Sequence, residues 1–225
     1  MNVVDFHSHI LPYADHGSSS IDVSLAQLSL ANEHGVKRIV LTPHYYPHSE
    51  NPESFIARRE KCYNKLLSNL KDGFPDVRLG AEVLICDNIE EIPHLEDLCI
   101  RGTKILLLEL PFVDFLDSYV DSVKYLIADG YDIVLAHADR YNPSNVDRLV
   151  AVGAKIQLNA DSLSSLFVKK HIRRWIDNGY VYAIGSDIHK QDEKAYKRFE
   201  KATKRLCNCI KIADYSKYIW KLSVR

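Results

Sequence analysis

Seven short apolar, β-branched runs recur along the chain: Val3–Phe6, Arg38–Thr42, Arg78–Val83, Lys104–Leu110, Asp132–Ala136, Lys155–Leu158 and Val181–Gly185. Each is apolar throughout rather than alternating, the pattern of strands covered on both faces or closed into a barrel. The stretches between them have helical spacing. Ile21–His34 sets Leu25, Leu28 and Ala31 at i, i+3 and i+6 and stops at Gly35. Pro52–Leu70 carries Phe55, Cys62, Leu66 and Leu70 as one stripe among charges. Phe115–Ala128, Ser144–Val152 and Leu163–Asn178 close near Gly130, Gly153 and Gly179, and a strongly charged Glu193–Cys209 follows. Strand, helix, glycine, strand, repeated, is the signature of parallel βαβ units. No Pro/Ser-rich linker interrupts the series, so one domain is expected over residues 1–225, an α/β fold built as a (β/α) barrel. An open doubly wound sheet is the alternative, but it calls for a glycine-rich phosphate loop after the first strand. That position holds His7-Ser8-His9.

Composition narrows the class. A chain of 225 residues is long enough to bury a core without disulfides or a partner. Lys plus Arg (29) nearly balances Asp plus Glu (30), a net charge of −1 that gives no basic footprint for nucleic acid and no polybasic segment for a membrane surface. The five cysteines (Cys62, Cys86, Cys99, Cys207, Cys209) are odd in number and lack CxxC spacing, which argues against a disulfide scaffold or a cysteine zinc site. The opening MNVVDFHSH has no basic n-region or long apolar run, and no stretch approaches a transmembrane span. A cytoplasmic protein without membrane insertion is expected.

The histidines and acids change the picture. His7 and His9 follow the first run, His44 the second, and Glu82 lies in the third. Glu109 ends the fourth, His137 the fifth, and Asp187 and His189 the seventh. In a parallel barrel those C-terminal strand ends converge on one face, where active sites are built. His7/His9 and Asp187/His189 each have i, i+2 spacing, which points both side chains of a strand pair one way. Glu109 sits in an aliphatic run, where a carboxylate needs a cationic partner or a metal. A hydrogen-bonded core or surface histidine is the ordinary reading of each residue alone; their convergence favours a metal cluster. Imidazole with carboxylate suits Mn, Fe or Zn. His34, His48, His94 and His171 lie off the strand ends and read as surface residues, and Cys207 and Cys209 as packing on the last helix. No cysteine stands in a CxxxxxR phosphate loop. Arg140, three residues past His137, is the candidate to clamp phosphate oxygens, with a salt bridge to a neighbouring Asp as its other reading.

The series DFHSHILP, LTPHYYP, LGAEV, LLLELPF, AHADRY and IGSDIH resembles the polymerase-and-histidinol-phosphatase (PHP) superfamily, from Val4 to about His189. Within it the chain is most similar to the bacterial tyrosine phosphatases of capsule and exopolysaccharide operons. The resemblance implies a distorted, TIM-like (β/α)7 barrel and three divalent metals, often manganese. It implies hydrolysis of phosphotyrosine on the C-terminal tails of polysaccharide-synthesis kinases. By the same resemblance, His7, His9, Glu82 and Asp187 hold the first metal, Glu82 bridging to a second completed by Glu109 and His137. His16, His44 and His189 hold the third, with Asp15 the alternative to His16. Glu82, His137 and Arg140 are then the catalytic candidates, Arg140 also binding substrate. Two positions depart from the family pattern: Asp15-His16-Gly17 stands where Asp-Asp-Gly is usual, and no Arg closely follows His189, leaving Arg198 or a lysine as substitute. A small-molecule phosphatase, acting on histidinol phosphate or a sugar phosphate, is the second reading, and a non-catalytic metal-binding regulator the third.

Overall fold

The computed structural model describes residues 3–112, 114–165 and 167–206. Its first part runs β1 (Val3–Ser8), α1 (Ile21–Glu33), β2 (Val36–Leu41), β3 (His44–Tyr45), α2 (Pro52–Leu67), β4 (Asp76–Leu79), β5 (Glu82–Leu84) and the short α3 (Leu95–Leu98). It continues through β6 (Ile105–Glu109), α4 (Ser118–Ala128), β7 (Asp132–Leu135), α5 (Pro143–Ala151), β8 (Lys155–Asn159), α6 (Ala160–Ser164), α7 (Lys170–Asp177), β9 (Val181–Gly185) and α8 (Glu193–Leu206). All the strand pairings are parallel. The fold is α/β, as the alternation of patterns implies.

The strands form two sheets, β1-β2-β4 and β3-β5-β6-β7-β8-β9, rather than one continuously paired barrel. The split comes from two short breaks, one just past the second run and one inside the third. Thr42-Pro43 separates β2 from β3, proline having no N–H for a ladder bond, and Gly80-Ala81 separates β4 from β5. Single backbone bonds cross the gaps: Gly80 N–H donates to Leu41 O at 2.8 Å and Glu82 N–H to Pro43 O at 3.1 Å. At the other edge an isolated parallel bridge joins Ser8 to Ile188, just past β9.

The runs are mostly apolar because both faces are covered, with Asp5, Arg78, Glu82, Glu109 and Gln157 as buried polar exceptions. Residues such as Ile39, Leu41, Leu106, Leu108, Ile133 and Leu135 pack into the large core with the helices. The alternate positions Phe6, Val40, Ile105, Leu107, Val134 and Ala136 join Tyr182 in a second, smaller cluster. Helix starts follow the sequence: Ser20 caps α1 by accepting from Val23 N, and Asn51 caps α2 by accepting from Ser54 N ahead of Pro52. The expected helix Leu163–Asn178 is two, α6 and α7, separated by Ser165–Lys169. The last helix is described to Leu206; Cys207 and Cys209 lie outside the described residues. No described helix is long and apolar enough to cross a membrane.

Candidate metal centre

The C-terminal strand ends bring together the residues that sequence spacing singled out. His7, His9, Glu82 and His137 are almost fully buried, and His44 and Glu109 nearly so. Glu82 is the hub: Oε2 lies 3.1 Å from His7 Nε2, 3.3 Å from His9 Nε2 and 3.0 Å from His44 Nδ1, while Oε1 is 2.7 Å from His137 Nε2. The β3–β5 register pairs His44 with Glu82, and the β5–β6 register pairs Leu84 with Glu109. Asp187 Oδ1 is 3.3 Å from His9 Nε2 and 3.7 Å from His7 Nε2. Glu109 faces His44 at 3.6 Å and His137 at 3.8 Å.

Three groups hold ligand atoms within 4.8 Å of one another: His7, His9 and Glu82; His44, Glu82 and Glu109; and His9, His44 and His189. His16 is in none of them. It is exposed, its ring stacked on His44 (centroids 4.8 Å, 12°) and His189 (4.6 Å, 25°). Asp15 does not point at the cluster as a free ligand either, because its oxygens are engaged. Oδ2 accepts from His9 Nδ1 (2.7 Å) and His44 N–H (3.1 Å), and Oδ1 accepts from Gly17 N–H (2.8 Å).

Imidazole tautomers follow from these bonds. Gln157 Oε1 accepts the backbone N–H of His137 at 2.7 Å, so the atom facing His7 Nδ1 at 3.0 Å is an acceptor and Nδ1 must donate. Asp15 does the same for His9, and the Asp187 carbonyl for His189 Nδ1 at 3.0 Å. Each neutral ring thus turns an Nε2 lone pair to the cluster, as second partners of metal-bound histidines do. Gln157 escaped the sequence reading, and Asp15 entered it only as the alternative to His16 at the third site, not as the partner of His9 Nδ1. A polar residue inside the otherwise apolar run Lys155–Leu158 was the available signal for Gln157.

The donor set fits divalent transition metals. Among buried atoms without a hydrogen-bond partner are His44 Nδ1, His137 Nδ1, Glu82 Oε2 and Glu109 Oε2, all in this cluster. The ion-pair partners of Glu82 and Glu109 are imidazoles; neither carboxylate has a Lys or Arg among the described residues. Electrostatics agree. Burial works to raise the Glu82 carboxyl, but the His7 charge, the hydrogen bond from His137 and the close His44 imidazole hold it well below the carboxylate range. Burial opposes charge on His44, yet Glu109 and Glu82 push it up to about 9. The acids demand positive charge at their centre, which protons on imidazole or divalent cations satisfy.

Arg140 pairs with Asp187 Oδ2 at 2.5 Å while its side chain stays 43% exposed. The salt bridge considered for it from sequence is therefore present, and Asn159 Nδ2 shares the same oxygen at 3.1 Å. Arg198 is held by Asp161 at 2.5 Å and Asp192 at 3.5 Å. Of the four histidines set aside, His48 and His94 are exposed, His34 contacts Glu200 at 3.2 Å, and His171 is half-buried with its ring edge-on to Trp175.

Residues 3–217 match the family described as Capsular polysaccharide synthesis, CpsB/CapC. Tyrosine-protein phosphatase YwqE of Bacillus subtilis (strain 168) is 30% identical over 83% of this chain and 77% of its own length. Putative tyrosine-protein phosphatase CapC of Staphylococcus aureus is 31% identical over the same shares. Tyrosine-protein phosphatase CpsB of Streptococcus pneumoniae is 26% identical over 85% of each chain. A solved structure from work on YwqE of Bacillus subtilis and CpsB of Streptococcus pneumoniae, described as unique metal-dependent tyrosine phosphatases, superposes with a TM-score of 0.74 at 25% identity, covering 92% of this chain and 87% of that one. A β-aspartyl dipeptidase from Fervidobacterium islandicum shares the fold alone, at 13% identity and a TM-score of 0.53 over 97% of this chain and 72% of its own. With a family match spanning nearly its whole length and the strand-end cluster in place, the chain belongs to the CpsB/CapC family of capsular polysaccharide synthesis.

Proposed function

We propose that this chain is a metal-dependent protein-tyrosine phosphatase that acts on a phosphotyrosine-bearing kinase tail in the cytoplasm. The observation that carries the reading is the convergence of His7, His9, His44, Glu82 and Glu109 at the strand ends, with imidazoles as the carboxylates' counter-charges. When bound, adjacent divalent ions supply Lewis acidity to phosphoryl oxygens and a water acidified to hydroxide at neutral pH.

His7, His9, Glu82 and Asp187 would hold one ion, with Glu82 shared by a second at Glu109 and His137. His16, His44 and His189 would hold a third, manganese being the expected metal and iron or zinc the alternatives. Asp15 and Gln157 keep the His9 and His7 rings turned with Nε2 inward. Arg140, anchored through one N–H on Asp187, has further donors for the non-bridging phosphate oxygens. The seven runs would form one distorted (β/α)7 barrel, a reading supported by the Ser8–Ile188 bridge and the bonds across the two strand breaks.

The test is hydrolysis of a phosphotyrosine peptide and of histidinol phosphate by Mn²⁺-loaded protein, before and after exhaustive chelation. Loss of phosphotyrosine turnover in EDTA and its return with Mn²⁺ are expected. Full activity after chelation overturns the metal reading, and a strong preference for histidinol phosphate moves the substrate to the small-molecule class.

A further inference from the structure

We propose that Phe112 is the residue that selects aryl over alkyl phosphates, its open ring face receiving the ring of the phosphorylated tyrosine; the inference rests on the phosphatase reading above. Phe112 follows Glu109 by three residues, on the loop leaving β6, and is 68% exposed. Its ring lies nearly parallel to that of His137 (13°, centroids 6.5 Å apart) and 5.6 Å from Tyr141.

Tyr141 is a fixed wall: its hydroxyl oxygen accepts the Leu110 N–H at 3.1 Å, and its ring is 5.5 Å from His137. Phe112 is thus positioned from below and left open above. Tyr13, Leu67, Leu116, Tyr125, Phe167 and Tyr180 are exposed too. Among these described side chains, Phe112 alone shows a ring contact with an imidazole of the cluster.

In an aryl phosphate the ring is joined to phosphorus through a single ester oxygen. A phosphate bound between Arg140 and a cation that Glu109 and His137 would hold therefore puts that ring at the rim of the cluster, where Phe112 stands. Offset or edge-on contact with a second ring removes apolar surface from water and adds a quadrupole attraction. A serine or sugar phosphate has no such face to present.

The experiment is titration calorimetry of the Mn²⁺-loaded full chain with phenylphosphonate and methylphosphonate, which are not hydrolysed. The wild type is expected to prefer the phenyl compound, and Phe112→Ala to cut the phenyl-to-methyl affinity ratio by about tenfold. Phe112→Tyr, which restores an aromatic face, should keep the ratio, as should Phe167→Ala on the α6–α7 connection. An unchanged ratio in Phe112→Ala, a wild-type ratio of one, or failure of the wild type to bind either compound overturns the proposal. Phosphotyrosine turnover is measured in parallel. Its absence in a wild type that still shows Phe112-dependent phenyl preference refutes the phosphatase reading and leaves the aryl contact standing.

Discussion

Asp15 and Gln157 carry as much of the site as the imidazoles they hold. A free histidine offers either nitrogen; Asp15 at His9 and Gln157 at His7 remove that choice. Asp15→Asn keeps the shape but removes the charge that favours the Nδ1–H tautomer. Metal affinity should fall by roughly 10–100-fold, read by titration with Mn²⁺, with the fold intact by circular dichroism. Unaltered affinity would mean that Asp15 merely braces the loop at Gly17. Arg140 poses a different question because it touches Asp187. Arg140→Ala should lower kcat/KM on a phosphotyrosine peptide by roughly 10²–10³ at saturating metal, the cost of one transition-state charge contact at about 3–4 kcal/mol. If activity returns to wild type once metal is saturating, Arg140 serves only to hold Asp187. Gln157 does not stand out in the chain, and Asp15 does so only beside His16, because a single Asp or Gln acquires its role from the neighbour that folding supplies.

At the scale of elements, the site depends on where strands stop. Val134 and Ala136 belong to the smaller inner cluster, so a continued strand would send residue 137 to the opposite face. A left-handed backbone at His137 (φ 30°) breaks that alternation, and Asp187 has the same departure (φ 53°). Such conformations cost of order 1–3 kcal/mol in a non-glycine residue and persist only where surroundings enforce them. Close approach is a second device. A Cβ on Gly185 would lie 2.5 Å from His7 Cβ and 2.7 Å from Gln157 Nε2. Gly185→Ala should therefore displace His7, destabilise the protein by about 1–3 kcal/mol in urea unfolding, and weaken metal binding. A variant with wild-type stability and metal affinity would show that β1 and β9 can separate freely. Helix and strand positions were legible from periodicity and glycine stops. The break inside Arg78–Val83 and the α6–α7 division were not, since an interruption of a few residues leaves the apolar pattern intact.

For the whole molecule, metal binding and folding are linked. The candidate ligands come from residues 7 to 189 and converge only in the folded chain. Ions that bind the native state alone add stability by mass action, about 4 kcal/mol for one ion at a thousandfold excess over its Kd. For a chain of 225 residues that corresponds to a fall in Tm of roughly 8–16 °C on chelation, read by differential scanning fluorimetry. The gap should narrow as pH is lowered, because imidazole must be neutral to bind metal. Equal Tm with and without chelator, in protein shown to carry metal, would place the ions outside the folded core.

The sequence alone determined the succession of βαβ units and which acids and histidines stand at strand ends. Both are local: covered strands need unbroken apolar runs, and a carboxylate such as Glu109 within one announces itself by its cost of burial. Only the tertiary structure decided the partnerships. Glu82 became the hub because the β3–β5 register sets it against His44, and because β1 and β7 bring His7 and His137 to its two oxygens. Arg140 acquired Asp187, and His16 came to stack on the rim while His9 joined His44 and His189. Those outcomes turn on ångström differences between segments up to about 180 residues apart, which no spacing along the chain encodes.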